Sequence, residues 1–161
     1  MTETPKRKIL VVCTANICRS PAVAGMIEMR LAAKGIAELV SVVSAGVFAQ
    51  EGYGADPIMA AFMQEAGVDL SNHVSHPLGL ADVTNADLII VMEEAHRTAI
   101  FHRWPRVLHK VLLLSELAGE HADLDDPHGG SNEAYLQAIA LAEQWLDNGW
   151  ALLQRRLDLP A

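Results

Sequence analysis

The run Ile9-Leu10-Val11-Val12 passes without a break into Cys13-Thr14-Ala15-Asn16-Ile17-Cys18-Arg19, and Ser20-Pro21 follows at once. Lys8 and the four apolar residues after it suit a buried parallel strand. Serine as an N-cap, with proline at the first helical position, predicts a helix start at Ser20-Pro21. The turn between strand and helix is therefore short and tight. Its backbone N–H groups and the unpaired donors of the helix start converge on one point, where an anion binds without a lysine.

A thiol in that position, beside an arginine, is expected as the thiolate and hence as a nucleophile. Arg19 adds a planar fork that holds two phosphoryl oxygens and neutralises charge as it spreads over them. Ser20 is placed to cap the helix and to donate to the sulfur of Cys13. A cysteine six residues before an arginine is by itself commonplace. The strand before it, the Ser-Pro after it and Asn16 within it give the pair its meaning.

Further along, Val23, Met26, Ile27 and Leu31 recur at helical spacing up to Lys34, and Gly35 stands where a C-terminal cap is expected. Leu39 to Val43 reads as a second strand ending in Ser44-Ala45-Gly46, followed by an irregular stretch to Gly54. Asp56 caps a helix through Phe62 and Met63 that Gly67 closes. Val68 to Pro77 is irregular, and Leu78 to Val83 holds a short helical turn. Asp87 to Met92 predicts a third buried strand and Glu93 to His102 a helix stopped near Trp104-Pro105. Val111 to Leu114 is a short fourth strand, Ser115 to Gly130 a long structureless run, and Ser131 the cap of a final helix with Tyr135, Ile139, Ala142, Leu146 and Leu153 on one face. Strands alternating with helices predict an α/β fold of three layers: a central four-stranded parallel sheet with helices on both faces and a phosphate-binding loop after the first strand. Ligands of such sheets lie beyond the carboxyl ends of the strands, which brings the segment ending at Asp126 toward Cys13.

The 161 residues fit one domain over 1–161, enough to bury about 70% of the unfolded surface without disulfides or metals. Met1 to Lys8 is polar and basic, and the apolar run after it is too short for a signal-peptide core or a membrane span, so a cytoplasmic location is expected. Two cysteines in one loop form no disulfide framework, and a reducing compartment suits a nucleophilic thiol. A net charge of −8 argues against nucleic acid as a partner, though not against a phosphate monoester held by a local field.

Cys13-x5-Arg19-Ser20-Pro21 so near the N-terminus closely resembles the signature of the low-molecular-weight protein tyrosine phosphatases. The resemblance extends over nearly the whole chain, strongest at Cys13 to Pro21, Ser44 to Gly46, Asp87 to Met92 and Asp126-Pro127. It implies hydrolysis of phosphotyrosine monoesters through a cysteinyl-phosphate, with no metal or other cofactor. Cys13 is then the nucleophile, Arg19 the phosphate ligand, and Thr14, Ala15, Asn16, Ile17, Cys18 and Ser20 the substrate-binding loop.

The departing oxygen needs a proton, a service worth about 10²–10⁴ in rate. Asp125-Asp126-Pro127 offers two carboxyls. Asp126 is preferred because the proline holds it extended and because it matches the family's acid; Asp125 remains as a solvated turn residue. Asn16 is either a turn residue tolerant of left-handed angles or the organiser of the loop, and the resemblance favours the second, with His73 supporting it. His73 and His76 have metal-ligand spacing but no matching second pair. Cys18 is either a small buried apolar residue or a partner that traps Cys13 in a disulfide, as the family's second cysteine implies.

Ile17 is apolar and suits a phosphotyrosine ring, and Phe48 or Tyr53 supplies an aromatic wall. Many relatives carry aromatic residues after Asp-Pro where this chain has His128-Gly129-Gly130. Asp126-Pro127-x-Gly129-Gly130-Ser131-x-Glu133-x-Tyr135 looks like bacterial members, some of which act on phosphoarginine. Arginine phosphatase is therefore the alternative on the same fold. Arsenate reduction is set aside because no cysteine follows Cys18. A non-catalytic phosphate-binding or redox-sensing module would lack the cysteine, arginine or acid, and all three are present. Expected partners are phosphorylated proteins and a cognate kinase, with no nucleic acid and no membrane.

Overall fold

The computed structural model describes residues 6–161. The reading of the polar segment before Lys6 lies outside the described residues. Strands β1 (Arg7–Cys13), β2 (Val40–Gly46), β3 (Leu88–Val91) and β4 (Val111–Leu113) form one parallel sheet in the order β2-β1-β3-β4. Helices α1 (Arg19–Ala33), α2 (Pro57–Glu65), α3 (Leu80–Asn85), α4 (Glu94–Arg103), α5 (Leu114–Leu117) and α6 (Asn132–Arg156) cover its two faces.

Side chains alternate across β1, and the alternation divides the core. Ile9 and Val11 pack with Met26, Ile27, Tyr135, Trp145 and Leu146 on the side of α1 and α6. Leu10 and Val12 pack with Val83, Ile89 and Ile100 on the side of α3 and α4. Each large apolar side chain buried this way contributes about 1.5–3 kcal/mol. The expected three-layer α/β architecture is therefore the observed one. Among the described residues, no helix is long and apolar enough to cross a membrane.

Local signals worked best where a cap or a run of apolar residues acted alone. Asp56 caps α2, its carboxylate accepting the N–H groups of Ile58 (2.9 Å) and Met59 (3.0 Å), and Ser131 caps α6 through Ala134 N–H (3.2 Å). Three expectations are corrected. Helix α1 begins at Arg19 with Cys18 in the cap position, so Ser20 is not the N-cap, and Pro21 stands third in the helix, still where an N–H has no intrahelical acceptor. Leu39 belongs to a 3₁₀ turn (Ala37–Leu39), and β2 runs from Val40 to Gly46. The run from Ser115 is not structureless at its start, because α5 occupies Leu114–Leu117. Leu114 and Leu117 are buried there, and Glu116 accepts the N–H of Leu113 at 2.8 Å.

The sheet order changes direction at β1, since β2 lies to one side and β3 to the other. The loop after β1 and the segment after β3 therefore open onto one crevice, the site where such sheets receive a ligand.

Candidate active site

The loop 14–18 is held from outside by its carbonyls. Val47 N–H donates to Cys13 O (3.0 Å), Phe48 N–H to Thr14 O (2.8 Å), His73 Nε2–H to Asn16 O (2.6 Å) and Asp56 N–H to Ile17 O (2.7 Å). In a trans peptide the C=O and the following N–H point opposite ways. Outward carbonyls at these four positions turn the N–H groups of Thr14, Ala15, Ile17 and Cys18 inward, and this is the anion nest anticipated from the sequence.

Asn16 organises the loop. It is fully buried, with φ at +57°, and all its side-chain polar groups are used. Nδ2 donates to Ser20 Oγ (2.8 Å) and Ser44 Oγ (2.9 Å), and Oδ1 accepts the N–H of His76 (2.8 Å). Because Ser20 Oγ accepts from Asn16, its hydrogen is free for Cys13 Sγ at 3.0 Å. Ser20 thus serves the sulfur instead of the helix end. The His76 ring bonds Asp82 (2.9 Å), away from the loop.

Arg19 is 2% exposed and doubly anchored, Nη1 reaching Leu124 O at 2.6 Å and Glu93 Oε2 at 2.9 Å. Its Nη2 lies 3.4 Å from Thr14 Oγ1 and 3.7 Å from Asp126 Oδ2. Leu124 N–H donates to Met92 O (2.8 Å) and Asp123 accepts Glu94 N–H (2.8 Å), so the segment before Asp126 is fastened to the end of β3. Cys13, Cys18, Arg19, Asp126 and His128 line a small cavity of about 30 Å³. A groove of about 340 Å³ adjoins it, walled by Ala15, Ile17, Phe48, Tyr53 and His128. Phe48 is 83% exposed, so it forms the groove's outer edge rather than a closed wall. A larger cleft of about 560 Å³ lies behind α1 and does not reach Cys13.

The chemistry of two neighbours is set by burial. Burial, with the carboxylates of Asp56 and Asp126 nearby, pushes the Cys18 thiol well above the usual range, so it stays protonated. Burial next to Arg19 lowers His96 to about 4. Its Nδ1 accepts Glu93 N–H (3.0 Å), which leaves Nε2–H to donate to Thr14 Oγ1 (2.9 Å). Cys13 and Cys18 are both free thiols.

The residue pattern singled out Cys13, Arg19 and Ser20, the pattern and the resemblance together Asp126, and the resemblance the roles of Asn16 and His73; the structure brings these six together. The sequence reading missed Glu93 and His96, whose only signal was their place just beyond β3. It also missed the bonds joining Asp56 to His128 and Tyr135. Asp125 lies next to Asp126 but does not line the small cavity.

A thiol, a buried arginine and a carboxyl thus share one small cavity at the carboxyl end of a parallel α/β sheet. The family described as low molecular weight phosphotyrosine protein phosphatase matches residues 8–158, and the chain belongs to it. It is 38% identical over 141 residues to the probable low molecular weight protein-tyrosine-phosphatase EpsP of Ralstonia solanacearum, covering 88% of this chain and 92% of that one. It is also 38% identical over 139 residues to a protein-arginine-phosphatase of Bacillus subtilis, covering 86% and 91%. Among solved structures, a Bacillus subtilis YwlE mutant superposes with a TM-score of 0.85 at 33% identity, covering 93% of this chain and 99% of the other. Vibrio vulnificus Wzb in complex with benzylphosphonate gives 0.81 at 33% identity, covering 91% and 98%.

Proposed function

We propose that this protein removes phosphate from phosphotyrosine in protein substrates through a cysteinyl-phosphate intermediate, with Cys13 as nucleophile, Arg19 as phosphate ligand and Asp126 as general acid and base. The carrying observation is the small cavity that Cys13, Arg19 and Asp126 share. In the first step the thiolate of Cys13 attacks phosphorus, the bond from phosphorus to the phenolic oxygen breaks, and that oxygen takes the proton of Asp126. In the second, the Asp126 carboxylate removes a proton from water, the water oxygen attacks phosphorus, and the phosphorus–sulfur bond breaks to return the thiolate, which the Ser20 hydroxyl stabilises. Negative charge developing on the phosphoryl oxygens meets Arg19 and the inward N–H groups, so charge stabilisation comes from the chain itself.

The apolar side chain of Ile17 and the rings of Phe48 and Tyr53 along the groove support tyrosine over the charged phosphoguanidinium of arginine. The chain works as one domain in the cytoplasm, opposite a kinase that writes the same mark.

The test is a metal-free assay with EDTA on a phosphotyrosine peptide and a phosphoarginine peptide in parallel. Wild type is expected to prefer phosphotyrosine, Cys13→Ser to be inactive, and Asp126→Asn to lose about 10²–10⁴ in rate. Preference for phosphoarginine would transfer the mechanism to the other substrate. Turnover by Cys13→Ala, which leaves no nucleophile at that position, would refute the covalent route.

A further inference from the structure

We propose that His128 is a positioning residue: through the buried carboxylate of Asp56 it locks the segment carrying Asp126 over the phosphate cradle. The proposal rests on the reading of Asp126 as the general acid.

Asp56 is bonded to both sides of the site. Its backbone N–H donates to Ile17 O in the cradle at 2.7 Å. Its side chain is 3% exposed; Oδ1 accepts the N–H groups that it caps, and Oδ2 accepts the Tyr135 hydroxyl (2.8 Å) and His128 Nδ1–H (2.5 Å). Burial would raise the carboxyl of Asp56, but the bonds from Met59, His128, Tyr135 and Ile58 outweigh it and hold the group below its ordinary range. It is therefore a fixed anion that demands donors.

The acid segment supplies them. His128 N–H donates to Asp126 Oδ1 at 3.1 Å, so the residue that grips Asp56 with its ring orients Asp126 with its backbone. Gly129 N–H donates to Tyr135 Oη (3.3 Å), and Gly130 N–H to Pro127 O (2.9 Å). A continuous path thus runs from Asp126 through His128 and Asp56 to Ile17. Asp126 itself is half exposed and sits in a stretch without regular structure, between α5 and α6. An acid on such a stretch samples many positions unless tied, and a displacement of about 1 Å costs about 10²-fold. The His128 ring is also half exposed, so its removal takes little from the core.

The experiment measures kcat/KM on phenyl phosphate, a poor leaving group, and on 4-nitrophenyl phosphate, a good one, with inorganic phosphate as competitive inhibitor. A misplaced acid penalises the poor leaving group selectively, whereas general loosening of the fold penalises both. His128→Ala should lose about 10- to 100-fold on phenyl phosphate and less than about fivefold on 4-nitrophenyl phosphate; His128 also lines the small cavity, and a change in the phosphate inhibition constant, common to both substrates, cancels in their ratio. His128→Asn, whose amide N–H can replace Nδ1–H, should recover most of that loss.

Equal losses on both substrates, no loss on either, or an asparagine variant no better than alanine would overturn the proposal. Tyr135→Phe, which frees Asp56 and Gly129 without touching His128, should show the same bias at smaller size, and it decides the matter should His128→Ala not fold. Asp126→Asn is the reference. A bias there without one in His128→Ala removes the positioning role alone; no bias in Asp126→Asn removes the general-acid reading and this proposal with it.

Discussion

Arg19 and Glu93 form an ion pair in which Nη1 lies 2.9 Å from Oε2, with the guanidinium almost wholly buried. The pair commits one nitrogen of the fork and leaves Nη2 on the side of Thr14 and Asp126. A lysine offers its donors at a single point and has no second nitrogen to present to a phosphoryl oxygen while the first is held by Glu93. Arg19→Lys is expected to lower kcat/KM by about 10²–10³, read on 4-nitrophenyl phosphate. Glu93→Ala leaves the buried cation without its carboxylate and should cost about 1–3 kcal/mol in urea unfolding. An Arg19→Lys variant with wild-type activity would show that bidentate binding is not required.

His96 gives the fold a pH dependence of its own. In the folded protein its ring stays neutral down to about 4, against 6.5 for the free group, because burial and Arg19 disfavour the imidazolium. Between those values the unfolded chain binds more protons, so stability falls as pH drops from 6.5 to about 4, by about 3 kcal/mol, and is fully present above. Urea titrations at pH 7, 5.5 and 4.5 on wild type and His96→Gln isolate this ring from the carboxylates. The variant should start less stable and lose less on acidification; parallel losses would assign the effect elsewhere.

Gly46 closes the space behind the cradle. A Cβ built there would lie 2.5 Å from Thr14 O and 2.9 Å from Asn16 N, both backbone atoms of the loop. Gly46→Ala must therefore displace the nest itself, and is expected to weaken inhibition by inorganic phosphate by at least about tenfold, with a stability cost of about 1–3 kcal/mol. Unchanged phosphate binding would mean the loop yields without losing its shape.

Asn16 combines a left-handed backbone with three side-chain bonds. Asn16→Gly should relieve the backbone but not replace the bonds, while Asn16→Ala loses both; each bond to a buried partner is worth about 1 kcal/mol. The expected order of thermal stability is wild type, then glycine, then alanine, with activity reduced in both variants. Alanine at or above glycine would place the asparagine's value in something other than its backbone angle.

The parts of this protein that depend on neighbours in the chain were legible in the sequence. Strand β1 announces itself by apolar residues, α2 and α6 by their caps at Asp56 and Ser131, and the cradle by Cys13 and Arg19 set between that strand and Ser20-Pro21 with Asn16 inside. Ser20 was misplaced as a cap because two uses of one hydroxyl look alike until Asn16 and the sulfur are in view. Helix α5 was hidden because its burial depends on partners from another part of the chain.

Local pattern determined the alternation of strand and helix, and with it the parallel sheet and the end at which a ligand binds, since caps and side-chain periodicity act within a few residues. Only the tertiary structure decided how the site is held. His128 reaches Asp56 across 72 positions, Tyr135 reaches it across 79, and His96 meets Thr14 across 82. No short-range pattern encodes such pairings. They exist because the parallel sheet brings the segments after all four strands to its carboxyl end, where buried polar groups must find partners or pay for lost water.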